Sequence, residues 1–240
     1  MSGSSVFTRS GIRISIRYAK ASAQRCVVIA PGFFQSKETR TFKRIEEDLR
    51  QATGASVLSM DFRGHGRSSG LYTFSAHETE DLKAVLEHAR QNHGRVGVLG
   101  FSYGGAIALL EQAAFGGIDS LVCVSSPMAA SGIEFKWWTP QAFKIGVLRF
   151  ELGVGCRAGH PFLPKVRALD VVSRAKIPVF FMHGDKDPTV GQRHSQALYT
   201  AAAEPKRLKI FKNGNHAEEL YRQFPAEFMR EVSSWFLETL

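Results

Sequence analysis

Short apolar runs recur along the chain, and most of them stop at a glycine or a proline. Runs of this kind, when rich in β-branched side chains, are typical of strands buried in a parallel sheet. Six runs fit the description, at residues 26–30, 55–62, 95–101, 120–125, 177–182 and 207–211. Nearer the N-terminus, Ile12, Ile14 and Ile16 alternate with polar residues, which predicts a further, half-buried strand.

Stretches with helical character separate these runs. Between residues 76 and 91, Leu82, Val85, Leu86 and Ala89 recur at helical spacing, with charged residues on the opposite face. Helices are also predicted at residues 38–51, 103–115, 192–203 and 217–239. The alternation of strands and helices predicts an α/β fold, in which a mostly parallel sheet is covered by helices on both faces.

This alternation is interrupted once, over residues 128–172, where no strand is predicted. The stretch is too long and too apolar for a plain loop, since it contains Trp137, Trp138, Phe143, Phe150 and Phe162. We therefore expect a mostly helical cap, inserted over the carboxyl edge of the sheet within a single domain that spans residues 1–240.

The net charge of +9, from 31 basic and 22 acidic residues, bears on the choice of partner. A basic protein can bind nucleic acid or an anionic membrane, but here the charges form no run and no nucleic-acid motif is present. A basic, solvated surface is the better interpretation, and no nucleic-acid partner is expected. The segment from Ala129 to Leu169 contains six basic residues and two acidic ones. Selection of an anionic substrate or a membrane surface by the cap therefore stays open.

The cysteines and the N-terminus bear on cofactors and location. The three cysteines are odd in number and form no CxxC pair, which argues against a disulfide framework or a zinc site and favours a reducing compartment.

Neither a transmembrane segment nor a secretory signal is predicted. Six basic residues and no acidic one lie between Met1 and Lys37, as in a transit peptide. The strand pattern there is the better interpretation, and the predicted location is the cytoplasm.

The strongest chemical signal is Gly100-Phe101-Ser102-Tyr103-Gly104, which follows a predicted strand and opens a predicted helix. A serine at such a turn is pushed out of the sheet, and the helix N-terminus favours negative charge that develops beside it. A serine nucleophile also needs a base that a carboxylate orients. Two later strand ends supply candidates: residues 183–190 contain two aspartates, and His216 follows Asn213-Gly214-Asn215.

Together these motifs resemble the α/β-hydrolase fold family, in its esterase, lipase and serine aminopeptidase branch. The resemblance runs from about Ile12 to the C-terminus, and the cap matches only in position. Four motifs carry it: D-x-R-G-x-G-x-S at residues 61–68, the nucleophile elbow at 100–104, H-G-x-x-D-x-x-V at 183–190, and Gly214-Asn215-His216. The resemblance implies an α/β-hydrolase fold with a triad of Ser102, Asp187 and His216.

Neighbouring residues of the same types compete for these roles. By the family spacing Asp187 is the acid, and Asp185 is expected to order the turn. His216 is the expected base, whereas His65 and His183 lie in positions where a histidine is usually a hydrogen-bonded structural residue. His194 is a further histidine near the site that we do not expect to act as the base.

The resemblance also implies an oxyanion hole and a pocket. The backbone N–H of Tyr103 is one expected donor, and Phe33 is our candidate for the second, although the family often has His-Gly where this chain has Pro31-Gly32. Phe34, Trp137 and Trp138 are candidate pocket residues. Packing of the two tryptophans between cap and body is the alternative.

The predicted function is hydrolysis of a small-molecule carboxylic ester, or a related acyl bond, through an acyl-enzyme, with no cofactor and no metal. Acyl thioesterase, lysophospholipase-like or monoacylglycerol-lipase-like, and aminopeptidase-like activities stay open. A protein of this fold that only binds a ligand is the alternative outside the enzymes. The sequence predicts no particular oligomeric state.

Overall fold

The computed structural model describes residues 4–129 and 155–240, which form an eight-stranded sheet. The strands are β1 (Ser4–Phe7), β2 (Arg13–Ala19), β3 (Arg25–Ala30), β4 (Ser56–Met60), β5 (Arg95–Phe101), β6 (Ser120–Val124), β7 (Val179–Gly184) and β8 (Lys206–Phe211). Their order in the sheet is β1-β2-β4-β3-β5-β6-β7-β8. The pairs β1–β2 and β2–β4 are antiparallel and the other pairs are parallel. The mostly parallel sheet predicted from the apolar runs is confirmed, and β1 is an additional edge strand.

Helices cover both faces of this sheet. They are α1 (Arg40–Thr53), α2 (Glu78–Arg90), α3 (Tyr103–Ala114), α4 (Ala168–Val171), α5 (Arg193–Ala201), α6 (Glu218–Gln223) and α7 (Pro225–Thr239). Helices α2 and α3 pack on one face, and α1 and α7 pack on the other. Side chains alternate along β3 accordingly: Val28 lies in the first apolar layer, and Val27 and Ile29 lie in the second.

The single helix predicted over residues 217–239 is wrong, because the chain forms two helices there. Helix α6 ends at Gln223, and Pro225 occupies the first turn of α7. Proline has no N–H to donate and is tolerated at the first helical position, so it separates the two helices.

The described part of the predicted cap is bonded to the loop that follows β4. Residues 155–167 contain no helix. Cys156 pairs with His65 in an isolated antiparallel bridge, and Ala158 pairs with Tyr72 in a parallel one. Trp137, Trp138 and most of the predicted cap lie outside the described residues.

Candidate active site

Ser102 lies in the turn between β5 and α3, with φ 50° and ψ −120°. This left-handed backbone conformation is costly for a serine, and its N–H is held by the carbonyl of Val124 at 2.7 Å. The glycines around Ser102 are required by space. A Cβ on Gly100 would lie 2.5 Å from the Cα of Gly105, and one on Gly104 would lie 2.1 Å from the carbonyl oxygen of Ala30. The strained strand-to-helix turn that the motif predicts is therefore present.

The side chain of Asp187, in the loop after β7, is buried and oriented by several donors. Its Oδ1 accepts hydrogen bonds from the N–H groups of Thr189 and Val190, each at 2.9 Å, and its Oδ2 lies 2.7 Å from Nδ1 of His216. Burial would raise the pKa of Asp187, but hydrogen bonds from His183, His216 and the Val190 N–H hold the pKa below the usual aspartate value. The carboxylate is therefore ionised at neutral pH.

The competing aspartate has a different role. Oδ1 of Asp185 accepts a hydrogen bond from the N–H of Asn213 at 2.6 Å. It thus joins the loops after β7 and β8, as expected of a residue that orders the turn. The structure pairs His216 with Asp187.

His183 lies on the other side of the Asp187 carboxylate. Its Nε2 is 2.6 Å from the carbonyl oxygen of Val190 and 3.3 Å from Oδ2 of Asp187, while its Nδ1 is 2.6 Å from Oγ of Ser195. In the neutral ring, Nε2 therefore carries the proton and Nδ1 accepts from the serine hydroxyl. This buried histidine is hydrogen-bonded, as expected. Ser195 was not predicted, because nothing in its helical sequence context marks it.

His216 is held by the loops that follow the neighbouring strands. The N–H of Ala217 donates to Oγ of Ser125, which follows β6, at 3.1 Å. A Cβ on Gly184 would lie 2.1 Å from the carbonyl oxygen of Gly214, so only glycine allows the two loops to approach so closely. Strands β5, β6, β7 and β8 are consecutive in the sheet, so Ser102, Asp187 and His216 all lie at its carboxyl edge. No hydrogen bond joins Ser102 to His216 in the described structure.

The turn after β3 lies against Ser102. A Cβ on Gly32 would be 2.9 Å from the Cβ of Ser102. The N–H of Gly32 donates to the side chain of Gln35, and the N–H of Phe34 donates to Nε2 of His65 at 3.2 Å. Between them, the N–H of Phe33 has no acceptor among the described residues, and neither has the N–H of Tyr103.

His65 supports this turn from the D-x-R-G-x-G-x-S loop. Its Nδ1 lies 3.2 Å from the carbonyl oxygen of Arg63, so Nδ1 carries the proton and Nε2 is free to accept from Phe34. Burial lowers the pKa of His65 to about 4, which keeps the ring neutral. Arg63 itself is fixed by the Asp81 carboxylate at 2.6 Å. The structural role expected of His65 agrees with this geometry.

An aromatic cluster lines the same turn. The ring of Phe33 stacks on that of Tyr72 with centroids 5.2 Å apart, and it also contacts the rings of Phe34, Phe74 and Tyr103. The hydroxyl of Tyr72 is buried and has no hydrogen-bond partner among the described residues. Phe34, a predicted pocket residue, lies in this cluster, whereas Trp137 and Trp138 are outside the described part of the chain.

Metal ligands and membrane-spanning helices are both absent from the part of the chain that the structure describes. Residues 4–129 and 155–240 contain no group of histidine, cysteine and acidic side chains arranged to hold a metal ion. None of the helices in these two ranges has the length and apolar character needed to cross a membrane.

Comparison with known proteins gives the class of protein that this fold and site define. The model of the alpha/beta hydrolase family matches residues 27–231. The chain therefore belongs to the alpha/beta hydrolase family.

Curated relatives carry no assigned activity in their names. The chain is 29% identical over 199 residues to the uncharacterized protein YqkD of Bacillus subtilis, covering 75% of this chain and 64% of the relative. It is 23% identical over 239 residues to the uncharacterized protein RP471 of Rickettsia prowazekii, covering 94% and 84%. The chain spans less than two thirds of the length of YqkD and of YfhR from Escherichia coli.

Solved structures share the fold over almost the whole chain. The esterase Pf2001 of Pyrococcus furiosus superposes with a TM-score of 0.81 at 21% identity, covering 99% of this chain and 92% of that one. The esterase RhEst1 of Rhodococcus superposes with a TM-score of 0.76 at 19% identity, covering both chains completely. At these identities the likeness establishes the fold alone.

Proposed function

We propose that this member of the alpha/beta hydrolase family is a serine hydrolase that cleaves a carboxylic ester, or a related acyl bond, through an acyl-enzyme. The observation that carries the proposal is the 2.7 Å hydrogen bond between Asp187 and His216, at the same sheet edge as the strained Ser102 turn. Membership of the family supports hydrolysis, and the three side chains supply the nucleophile, the base and the orienting acid.

In the proposed reaction the Ser102 oxygen attacks the substrate carbonyl while Nε2 of His216 takes its proton. Because Asp187 accepts the hydrogen bond from Nδ1, it holds the ring in the tautomer whose Nε2 can act as a base. The imidazolium then protonates the leaving group, and His216 activates a water molecule that releases the acid. Closing of the Ser102–His216 hydrogen bond accompanies substrate binding, since such bonds often tighten only in the complex.

The oxyanion of the tetrahedral intermediate is proposed to bind the N–H groups of Phe33 and Tyr103. Both lack an acceptor among the described residues, and both flank Ser102. Preorganised donors of this kind stabilise charge that develops in the transition state. The proline before Gly32 does not interfere, because the proposed donors are main-chain groups.

The surroundings of the site favour an apolar acyl or alcohol group. The rings of Phe33, Tyr72 and Phe74 form a mostly buried aromatic cluster against the turn at residues 32–35, here called the oxyanion turn. Thioesterase, lysophospholipase-like, monoacylglycerol-lipase-like and aminopeptidase-like reactions would use the same catalytic residues.

The three cysteines are free thiols, which supports a reducing compartment such as the cytoplasm.

The test is Ser102→Ala, assayed with p-nitrophenyl esters of increasing acyl length and with a fluorophosphonate probe. We expect the variant to lose kcat by about 10⁴-fold or more and to escape labelling, because the nucleophile is gone. Ser126→Ala is the matched control, since Ser126 is also a buried serine that follows a strand at this sheet edge. An active or labelled Ser102→Ala protein would overturn the proposal, and a folded wild-type protein that neither reacts nor labels would favour a binding protein.

A further inference from the structure

Gln35 bridges two loops that the proposed mechanism requires but that lie far apart in sequence. The Gln35 side chain is buried. Its Oε1 accepts a hydrogen bond from the N–H of Gly32, and its Nε2 donates to Oε2 of Glu218, 183 positions along the chain. Gly32 begins the turn that carries Phe33, and Glu218 follows His216 by two residues at the start of α6.

Each end of this bridge fixes a group near the reacting atoms. The main chain of Gln35 also closes the turn, because its N–H donates to the carbonyl oxygen of Gly32 at 3.2 Å. Since a Cβ on Gly32 would already be 2.9 Å from the Cβ of Ser102, any shift of the turn changes the position of the Phe33 N–H relative to the nucleophile. At the other end, the N–H of Glu219 donates to the carbonyl oxygen of His216 at 3.0 Å. This hydrogen bond connects the first turn of α6 to the main chain of His216.

We propose that Gln35 is a positioning residue that couples the oxyanion turn to the His216 loop through Glu218. This inference rests on the proposed function, and it adds a residue pair to which neither the nucleophile motif nor the triad points. The carbonyl end of the Gln35 amide accepts and its NH₂ end donates, so the bridge needs an N–H donor at one position and an acceptor oxygen at the other. Its function is to hold the Phe33 N–H and His216 in fixed positions relative to Ser102.

Because the bridge needs one donor and one acceptor, an exchange of the two side-chain groups is a direct test. Gln35→Glu places two carboxylates against each other, so the bridge is lost. In the double variant Gln35→Glu/Glu218→Gln, the carboxylate now at position 35 would accept from the N–H of Gly32 and from the amide now at position 218, and both hydrogen bonds are restored. Glu218→Gln alone leaves an amide oxygen that Gln35 can still donate to.

We expect Gln35→Glu to lower kcat for a p-nitrophenyl ester by about 10-fold to 100-fold with little change in KM, which is less than the loss of an entire oxyanion donor. The exchange variant should recover at least half of that loss on a logarithmic scale, and Glu218→Gln should stay within about threefold of wild type. Glu219→Gln is the matched control, because Glu219 is the next residue and pairs with Arg222 at 2.6 Å instead.

Two results would overturn the inference: a Gln35→Glu protein as active as wild type, or a loss of kcat that Glu218→Gln fails to relieve. If Gln35→Glu does not fold, Gln35→Ala, Glu218→Ala and the double variant Gln35→Ala/Glu218→Ala are compared, and losses of kcat that add in full likewise overturn the inference. Ser102→Ala, measured in parallel, separates this failure from failure of the proposed function. An inactive Ser102→Ala protein beside unaffected Gln35 variants refutes only the bridge.

Discussion

Glu111 presents an ionisable group in an apolar helix interface. It lies in α3, is 1% exposed, and its Oε2 has no hydrogen-bond partner among the described residues. Burial raises the pKa of Glu111 to about 8, the charges of Lys83 and Arg90 on α2 lower it, and Glu87 adds to the rise. At neutral pH the folded protein therefore holds a proton that the unfolded chain has released.

The sign of the resulting pH dependence follows from that proton. Between about pH 4.5, where glutamate ionises in the unfolded chain, and about pH 8, stability falls as pH rises, because only the folded state keeps the proton. We expect Glu111→Gln to remove this slope. The variant should match wild type near pH 5 and unfold with a free energy about 1–3 kcal/mol larger at pH 9.

Urea denaturation at pH 5, 7 and 9 measures the difference. Glu47→Gln is the control, because hydrogen bonds from Arg50 and Gln51 lower the pKa of the exposed Glu47 carboxyl, which is ionised in both states over this range. A Glu111→Gln protein whose stability differs from wild type by the same amount at every pH would refute the argument.

At the residue scale, the sequence pattern brings together side chains that follow strand ends, and it misses contacts that form only in three dimensions. Ser102, Asp187 and His216 each come after a predicted parallel strand, so the sheet itself brings their loops to one edge. Gln35 and Glu218 are 183 positions apart, and no local pattern marks either of them. Their pairing depends on how two loops close over the sheet.

At the scale of elements, α3 approaches the loop after β3 so closely that Gly104 has no room for a side chain. A Cβ there would lie 2.1 Å from the carbonyl oxygen of Ala30 and 2.6 Å from that of Pro31. Because both contacts are with backbone, Gly104→Ala must move either the helix or the turn after β3. We expect the variant to lose several kcal/mol of stability, measured by thermal unfolding, and most of the proposed activity toward p-nitrophenyl esters.

Gly54→Ala separates this steric effect from the loss of glycine flexibility. Gly54 ends α1 with φ 66°, and nothing lies within 4 Å of a Cβ placed there. The left-handed conformation alone should cost about 1 kcal/mol, with activity unchanged. If Gly104→Ala were no more destabilising than Gly54→Ala, close approach would not be the reason for the glycine.

Elements with a strong internal pattern were predicted to within two residues at most ends, and elements without one were not. The buried strand β5 coincides with its predicted bounds, residues 95–101. Strand β1 was missed because only Val6 of its four residues is buried, so no alternation marks it. The break between α6 and α7 was also missed, although Pro225 was a signal that could have placed it.

At the scale of the molecule, a buried polar network joins the antiparallel edge of the sheet to its parallel centre. Nζ of Lys37 lies 2.6 Å from Oδ2 of Asp61 and 2.9 Å from Oγ of Ser15, and both charged side chains are almost fully buried. Asp61 follows β4, Ser15 lies on β2, and Lys37 follows the turn after β3. Asp61 belongs to the D-x-R-G-x-G-x-S motif, so its importance could be predicted from the sequence. Lys37 belongs to no motif, so its role in the network could not be predicted.

Removal of one member of the pair should cost far more than removal of both. Lys37→Met leaves Asp61 charged and buried, so we expect a loss of about 3–5 kcal/mol in the free energy of unfolding. Adding Asp61→Asn removes the uncompensated charge. The amide oxygen can still accept the hydrogen bonds that Oδ1 of Asp61 receives from Ser36 Oγ at 2.9 Å and the Lys37 N–H at 2.8 Å. The double variant should therefore be more stable than Lys37→Met alone.

Urea denaturation of wild type, both single variants and the double variant gives the coupling energy directly. Lys43→Met is the control, because Lys43 pairs with Glu38 at 3.4 Å while its side chain is about half exposed, and it should cost less than about 1 kcal/mol. Lys37 contacts both Asp61, which follows β4, and Ser15 on β2. If this ion pair connects the two regions of the sheet, the losses in free energy of unfolding from the two single substitutions do not add. Additive losses from the two single substitutions would mean that each side chain is stabilised by its other partners and that the ion pair does not hold the two regions of the sheet together.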